Sequence, residues 1–140
     1  MITPELRELI ASGPLAHLST VGRDGAPQVT VIWIGLDGDD IVSAHLGRWA
    51  KIRNIERDPR VVLSFAAPRD MGAVLNPYAV IRAHATVHAE ETAAWELLDR
   101  LAGVYMEPGS RFPASPAPGF IVRYRPVRIG GVGPWASPQA

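Results

Sequence analysis

The chain has 140 residues, 47% of them hydrophobic, a formal net charge of zero and no cysteine. That length makes a single domain over residues 1–140 the expectation, with enough apolar sequence for a real core. The lack of cysteine excludes disulfides, thiolate metal sites and thiol catalysis, and the balanced charge offers no general field for nucleic acid.

The opening segment, MITPELRELIASG, is amphipathic and short. It fits neither a signal peptide nor a membrane span, which is compatible with a cytoplasmic setting. A helix is expected over 3–12. Thr3 suits the N-cap, Pro4 the first helical position and Glu5 the positive end. Leu6, Leu9 and Ile10 make its apolar stripe.

Strands follow. LAHLSTV (15–21) alternates, with Leu15, His17 and Ser19 facing one way. Asp24–Gly25 is a hairpin signal. QVTVIWIGL (28–36) is rich in β-branched and aromatic residues and reads as one strand. DGDD (37–40) turns the chain into a third strand, IVSAHL (41–46). Two tight turns between three strands predict an antiparallel meander. VVLSFAA (61–67) is apolar nearly throughout and is expected to be buried on both faces. Residues 68–77 read as a loop. In YAVIRAHATVHA (78–89), Arg82, His84, Thr86 and His88 share one face of a long strand. A helix is expected over 90–106, with Trp95, Leu98, Leu101, Ala102 and Tyr105 along one side. The proline-rich 108–119 reads as a loop, and 120–132 as one or two closing strands, with Pro126 at a bend or edge. Strands that come first, with helices inserted, predict a mainly β (α+β) fold. It is a small antiparallel barrel of six or seven strands with flanking helices.

Between strand 41–46 and strand 61–67 lies the densest charge. SAHLGRWAKIRNIERDPR (43–60) turns at Gly47, runs as a short helix and stops at Pro59. It holds Arg48, Lys51, Arg53, Arg57 and Arg60, and Lys51 is the only lysine in the chain. A cationic cluster at a strand–helix junction is suited to an anion such as phosphate. It is equally the pattern of a solvated helix face, with Arg53 and Arg57 paired to Glu56 and Asp58. At 100° per residue, Arg48, Lys51 and Asn54 form one stripe. Trp49, Ile52 and Ile55 form the neighbouring, buried one, and Arg53 and Arg57 point elsewhere.

Other chemistry is thin. Ser19, Ser43, Ser64 and four histidines are present, but none lies in a nucleophile-elbow pattern. His84 and His88 on one strand would stand about 13 Å apart, too far to share a metal. No phosphate-cradling glycine loop follows a strand. An anion cluster beside aromatic and β-branched strands, with little acid–base machinery, is the profile of a protein whose cofactor carries the chemistry.

LAHLSTVGRDGAPQVTVIWI, then Lys51 eight residues before Pro59, then VVLSF, resembles the pyridoxamine 5′-phosphate oxidase-like split β-barrel flavoproteins. The tail GFIVRYRPVRIGGVGPW is similar to the branch that uses the deazaflavin coenzyme F420. The resemblance covers nearly the whole chain. It implies an FMN-binding-type split barrel and a homodimer with two cofactor sites at the subunit interface. It implies that Lys51 binds the cofactor phosphate, with Arg48, Arg53 and Asn54 nearby. The ring would lie along Gln28, Thr30, Val31, Ile32 and Trp33, and along Ser43, held mainly by backbone amides. The second subunit would contribute from the Met71–Tyr78 loop and Trp135. The chain is shorter than the pyridoxamine phosphate oxidases proper and lacks their substrate-binding ending, which speaks against vitamin B6 oxidation. The implied activity is an F420-dependent reductase, passing a hydride to a quinone or an activated double bond. The alternatives are an FMN-dependent oxidoreductase, a barrel that binds a cofactor or haem without turnover, and a purely structural dimerisation domain.

Overall fold

The computed structural model describes residues 1–136. Helix α1 (Pro4–Ala11) forms where its caps place it: the Thr3 hydroxyl accepts from the Leu6 N–H at 3.2 Å, and Leu6, Leu9 and Ile10 are buried. The strands are β1 (Ala16–Val21), β2 (Pro27–Ile32), β3 (Gly35–Asp37), β4 (Asp40–His45), β5 (Arg60–Ala66), β6 (Tyr78–Glu90) and β7 (Gly119–Val132). Two further helices are α2 (Ala50–Arg57), between β4 and β5, and α3 (Ala93–Tyr105), between β6 and β7. All strand pairs are antiparallel, in the order β2-β1-β5-β6-β7-β4-β3.

The expected meander does not form. Both tight turns make hairpins, β1–β2 and β3–β4, but the strand between them is interrupted, and the other edge of β4 pairs with β7, placing Ser43 opposite Val122 and His45 opposite Phe120. The single strand expected over 28–36 is broken at Trp33 and Ile34. The cause is α3. The Tyr105 hydroxyl accepts from the Ile34 N–H at 3.0 Å and lies 3.2 Å from its carbonyl, so a side chain, not a strand, satisfies this backbone. Trp33 stacks on the same tyrosine at 5.2 Å. The break lets β2 and β3 occupy opposite edges of one sheet. Two residues separate those edges, a span of at most about 11 Å. The sheet is therefore curled into a barrel that the covalent chain closes.

The barrel interior is filled by Leu18, Ile41, Leu63, Phe65, Ile81, Val122 and Tyr124, with α1 and α2 packed on the same cluster. A second cluster, Val42, Ala44, Ala94, Leu97, Leu98 and Leu101, lies under α3. Strand β6 alternates as its sequence predicts, with Ile81, Ala83 and Ala85 inside and Arg82, His84, Thr86 and His88 outside. Strand β5 does not bury both faces: Val62 and Ser64 stay half-exposed. Its apolar outer residues sit among the outward side chains of β1 and β6, which one chain leaves uncovered. Helix α3 begins three residues later than expected, because Glu90 is still paired with Gly119 in the β6–β7 ladder. Its buried stripe is Ala94, Leu97, Leu98, Leu101 and Ala102, while Trp95 lies at the rim and donates to the Ala114 carbonyl at 2.8 Å. The closing segment is one long strand. A bulge sets Arg82 opposite Arg128 but Ala83 opposite Pro126, and so accommodates the proline without a ladder hydrogen bond. No helix among the described residues is long and apolar enough to cross a membrane.

Candidate functional site

Helix α2 packs on β1 and β6 and brings the charged stretch against the hairpin β1–β2. Along β2, Gln28, Thr30 and Ile32 face α2 and the core, whereas Val29 and Val31 face outward and are exposed. The Lys51 Nζ donates to the Thr30 hydroxyl at 3.2 Å. It also lies 5.6 Å from the centre of the Trp49 ring, within cation–π range. No carboxylate pairs with Lys51 among the described residues. The side chain is about half-buried, and desolvation pulls its pKa below the ordinary lysine value.

Asn54 departs from the expected stripe. It is buried, and its amide donates to Thr20 at 3.1 Å and to Gln28 at 3.0 Å, while its carbonyl accepts from Arg57 at 2.8 Å. Asn54 and Gln28 thus hold α2 to the hairpin with their polar groups already in use. Trp49 also departs: it is 53% exposed instead of buried. It is the N-cap residue with extended backbone, so the helical angle that placed it beside Ile52 and Ile55 does not apply to it. The expected surface pairs are replaced as well. Glu56 takes Arg48, Asp58 takes Arg60, and Arg53 donates to the Arg48 carbonyl at 2.6 Å.

Ser43 is fully buried and faces the barrel interior. Its hydroxyl lies 2.8 Å from the His45 Nε2 and 2.8 Å from the Tyr124 hydroxyl. His45 is 4% exposed, and its ring meets the Trp49 ring edge-on at 6.4 Å. Burial, and secondarily the Lys51 charge, lower the His45 pKa from 6.5 to about 3, so the imidazole is neutral at physiological pH. Burial pushes the Tyr124 phenol up. Close approach at this corner depends on Gly119, where a Cβ would stand 2.5 Å from the His45 carbonyl oxygen.

Of the expected residues, Gln28, Thr30, Lys51 and Asn54 meet where α2 packs on the β1–β2 hairpin, in two hydrogen-bonded sets: Lys51 with Thr30, and Asn54 with Gln28 and Thr20. Ile32 belongs to the barrel core, and Trp33 packs between Tyr105 and Phe112 under α3. Trp135 is buried in its own barrel and donates to the Tyr78 carbonyl at 2.9 Å. The Met71–Tyr78 segment exposes Met71, Val74 and Leu75. The sequence pattern did not single out His45 and Tyr124. The available signal was parity: Ser43 and His45 alternate inward on a strand that ends six residues before Lys51. A separate groove of about 800 Å³ crosses the outer face of β1, β5, β6 and β7. Arg60, Arg82, His84 and Arg128 line it, over Val62 and Val127, and Lys51 is not part of it.

A family model described as pyridoxamine 5′-phosphate oxidase matches residues 2–132. The chain belongs to that family. Solved structures agree with the fold. One named as an F420 reductase is 29% identical, with a TM-score of 0.72 over 91% of this chain and 98% of that one. HupZ of Group A Streptococcus is 20% identical, with a TM-score of 0.68 over 98% of both chains. A conserved hypothetical protein from Mycobacterium tuberculosis is 19% identical, with a TM-score of 0.69 over 94% of this chain and 84% of that one. No curated protein sequence matches the chain.

Proposed function

We propose that the chain is an oxidoreductase that uses a phosphate-bearing flavin-type cofactor, coenzyme F420 in preference to FMN, and that it works as a homodimer. The observation that carries this is Lys51: a half-buried ammonium with one hydrogen bond, to Thr30, and no carboxylate partner among the described residues. An ammonium has three N–H donors, so two remain for an anion. Arg48 and Arg53 flank it, and Trp49 adds an exposed aromatic face.

The residues fit a flavin-type group in a second way. β2 is an edge strand, so one side of its backbone is open to hydrogen-bond the polar edge of a ring between Gln28 and Trp33. When bound and reduced, such a cofactor supplies a hydride to an electrophilic acceptor such as a quinone or an activated double bond. The chain's own part is to hold the phosphate at Lys51 and to present β2 to the ring. F420 is favoured over FMN by the F420 reductase at 29% identity. The divergent directions of Lys51 and the flanking arginines also suit a cofactor with a phosphate and a carboxylate tail. A second copy is supported by exposed apolar side chains at Val29, Val31, Met71, Val74 and Leu75.

Equilibrium titrations with F420 and with FMN test the assignment. Tight F420 binding with weak FMN binding agrees with it. Tight FMN binding alone moves the chain to the FMN branch, and binding of neither removes the cofactor role. Bound cofactor that no acceptor in a broad panel can oxidise would make the protein a binder and not a reductase.

A further inference from the structure

The Tyr124, Ser43 and His45 side chains form a hydrogen-bonded line from the barrel centre toward the Lys51 site, and its direction can be worked out. Tyr124 is fully buried, and its hydroxyl has Ser43 as its partner. If Ser43 donated to Tyr124, the phenolic proton would be left in a sealed site without an acceptor, the costly arrangement for a buried donor. Tyr124 therefore donates to the Ser43 oxygen. The Ser43 proton is then directed to the His45 Nε2, which accepts at 2.8 Å. A neutral imidazole that accepts at Nε2 carries its proton on Nδ1.

Nδ1 has no hydrogen-bond partner among the described residues. No side-chain nitrogen or oxygen among the described residues is both sealed from solvent and unpartnered, so Nδ1 is the ring nitrogen that reaches the surface. The His45 ring lies close to Lys51: both side chains rest against the Trp49 ring, at 6.4 and 5.6 Å, and the Lys51 charge acts on the imidazole.

We propose that His45 is a ligand-binding residue of this site. Its Nδ1–H, fixed in place by Tyr124 and Ser43, donates to an oxyanion oxygen of the ligand that Lys51 holds. The inference rests on the anion-binding role of Lys51 given above. A neutral donor beside a cation orients a phosphate without adding charge, and buried partners hold the ring in one tautomer.

The test is ¹⁵N NMR of the imidazole in the intact protein, with and without F420, FMN and inorganic phosphate. The free protein is expected to show the Nδ1–H tautomer, and the Nδ1–H resonance to move on ligand addition. Ser43→Ala removes the lock, so Nε2–H appears and affinity falls severalfold. His45→Phe keeps an aromatic ring but removes both nitrogens, and weakens binding by about 10- to 100-fold. An Nε2–H tautomer in the wild-type protein overturns the inference. So does an unmoved Nδ1–H when Lys51→Ala still abolishes binding, and that result leaves the Lys51 role standing. Loss of neither binding nor signal in Lys51→Ala removes both.

Discussion

The neutral, buried His45 makes the fold sensitive to acid in a range where carboxylates are still ionised. Its pKa is about 3 in the folded protein against 6.5 for an ordinary histidine. Between these values the unfolded chain binds a proton that the folded chain does not, so stability rises with pH through this window and falls as pH drops below 6.5. Moving from pH 8 to pH 5 spans about 1.5 units below the unfolded value. At about 1.36 kcal/mol per unit this removes roughly 2 kcal/mol. Any folded-state value of about 4 or lower gives the same figure at pH 5, because the folded ring is then still neutral. The groups facing His45 are the Lys51 ammonium from α2, the Ser43 hydroxyl on its own strand, which contacts Nε2, and Tyr124 from β7, which contacts Ser43. Only Lys51 is charged, and it acts in the same direction. The assay is urea denaturation at fixed protein concentration at both pH values, for the wild type and for His45→Gln, whose amide oxygen can still accept from Ser43. The wild type is expected to lose roughly 2 kcal/mol more than the variant over this interval. Equal losses would show that His45 protonates as easily in the folded protein as in the unfolded one, and the buried-relay argument would fail.

Lys51→Ala is expected to weaken cofactor binding by roughly 1.5–3 kcal/mol, the range of a charge-assisted hydrogen bond, read by titration of the folded protein. Because burial lowers the Lys51 pKa, phosphate affinity should decline with rising pH earlier than an ordinary lysine would dictate; affinity that is flat from pH 7 to pH 10 argues against an ammonium contact. Asn54→Ala leaves Thr20 and Gln28 without their donor and should destabilise the fold by about 1–3 kcal/mol in thermal or chemical melts. Replacing Met71, Val74 and Leu75 together by serine should shift the protein toward monomer in light scattering while its circular dichroism stays that of the wild type. An unchanged dimer would place the interface elsewhere.

The elements that could be read in the sequence are those set by local chemistry. Thr3–Pro4–Glu5 announces α1, Asp24–Gly25 turns the first hairpin, and alternation along 78–89 states which face of β6 is wet. Lys51 stood out in the sequence as the one lysine of a cationic turn before Pro59, and its reading as a phosphate anchor came from the family resemblance. Neither the break in the strand over 28–36 nor the pairing of β4 with β7 could be read there. Propensity runs unbroken through Trp33 and Ile34, and what stops the strand is the hydroxyl of Tyr105, some seventy residues away. Pairing of β4 with β7 is equally long-range, since the hydrogen bonds of a strand are indifferent to sequence distance. The same holds within the site. Helical angle put Asn54 on one stripe with Arg48 and Lys51, whereas packing turned its amide onto Thr20 and Gln28. The same reading also hid Trp49, which lies outside the helix whose angle was applied to it. The fold class, the cationic turn and its one lysine were legible in the chain, because they follow from composition and short-range spacing. That this lysine stands half-buried with no carboxylate partner among the described residues, near a histidine hydrogen-bonded to Ser43 at the barrel centre, follows from packing. Burial and the direction of a hydrogen bond are properties of neighbours that the chain order does not state.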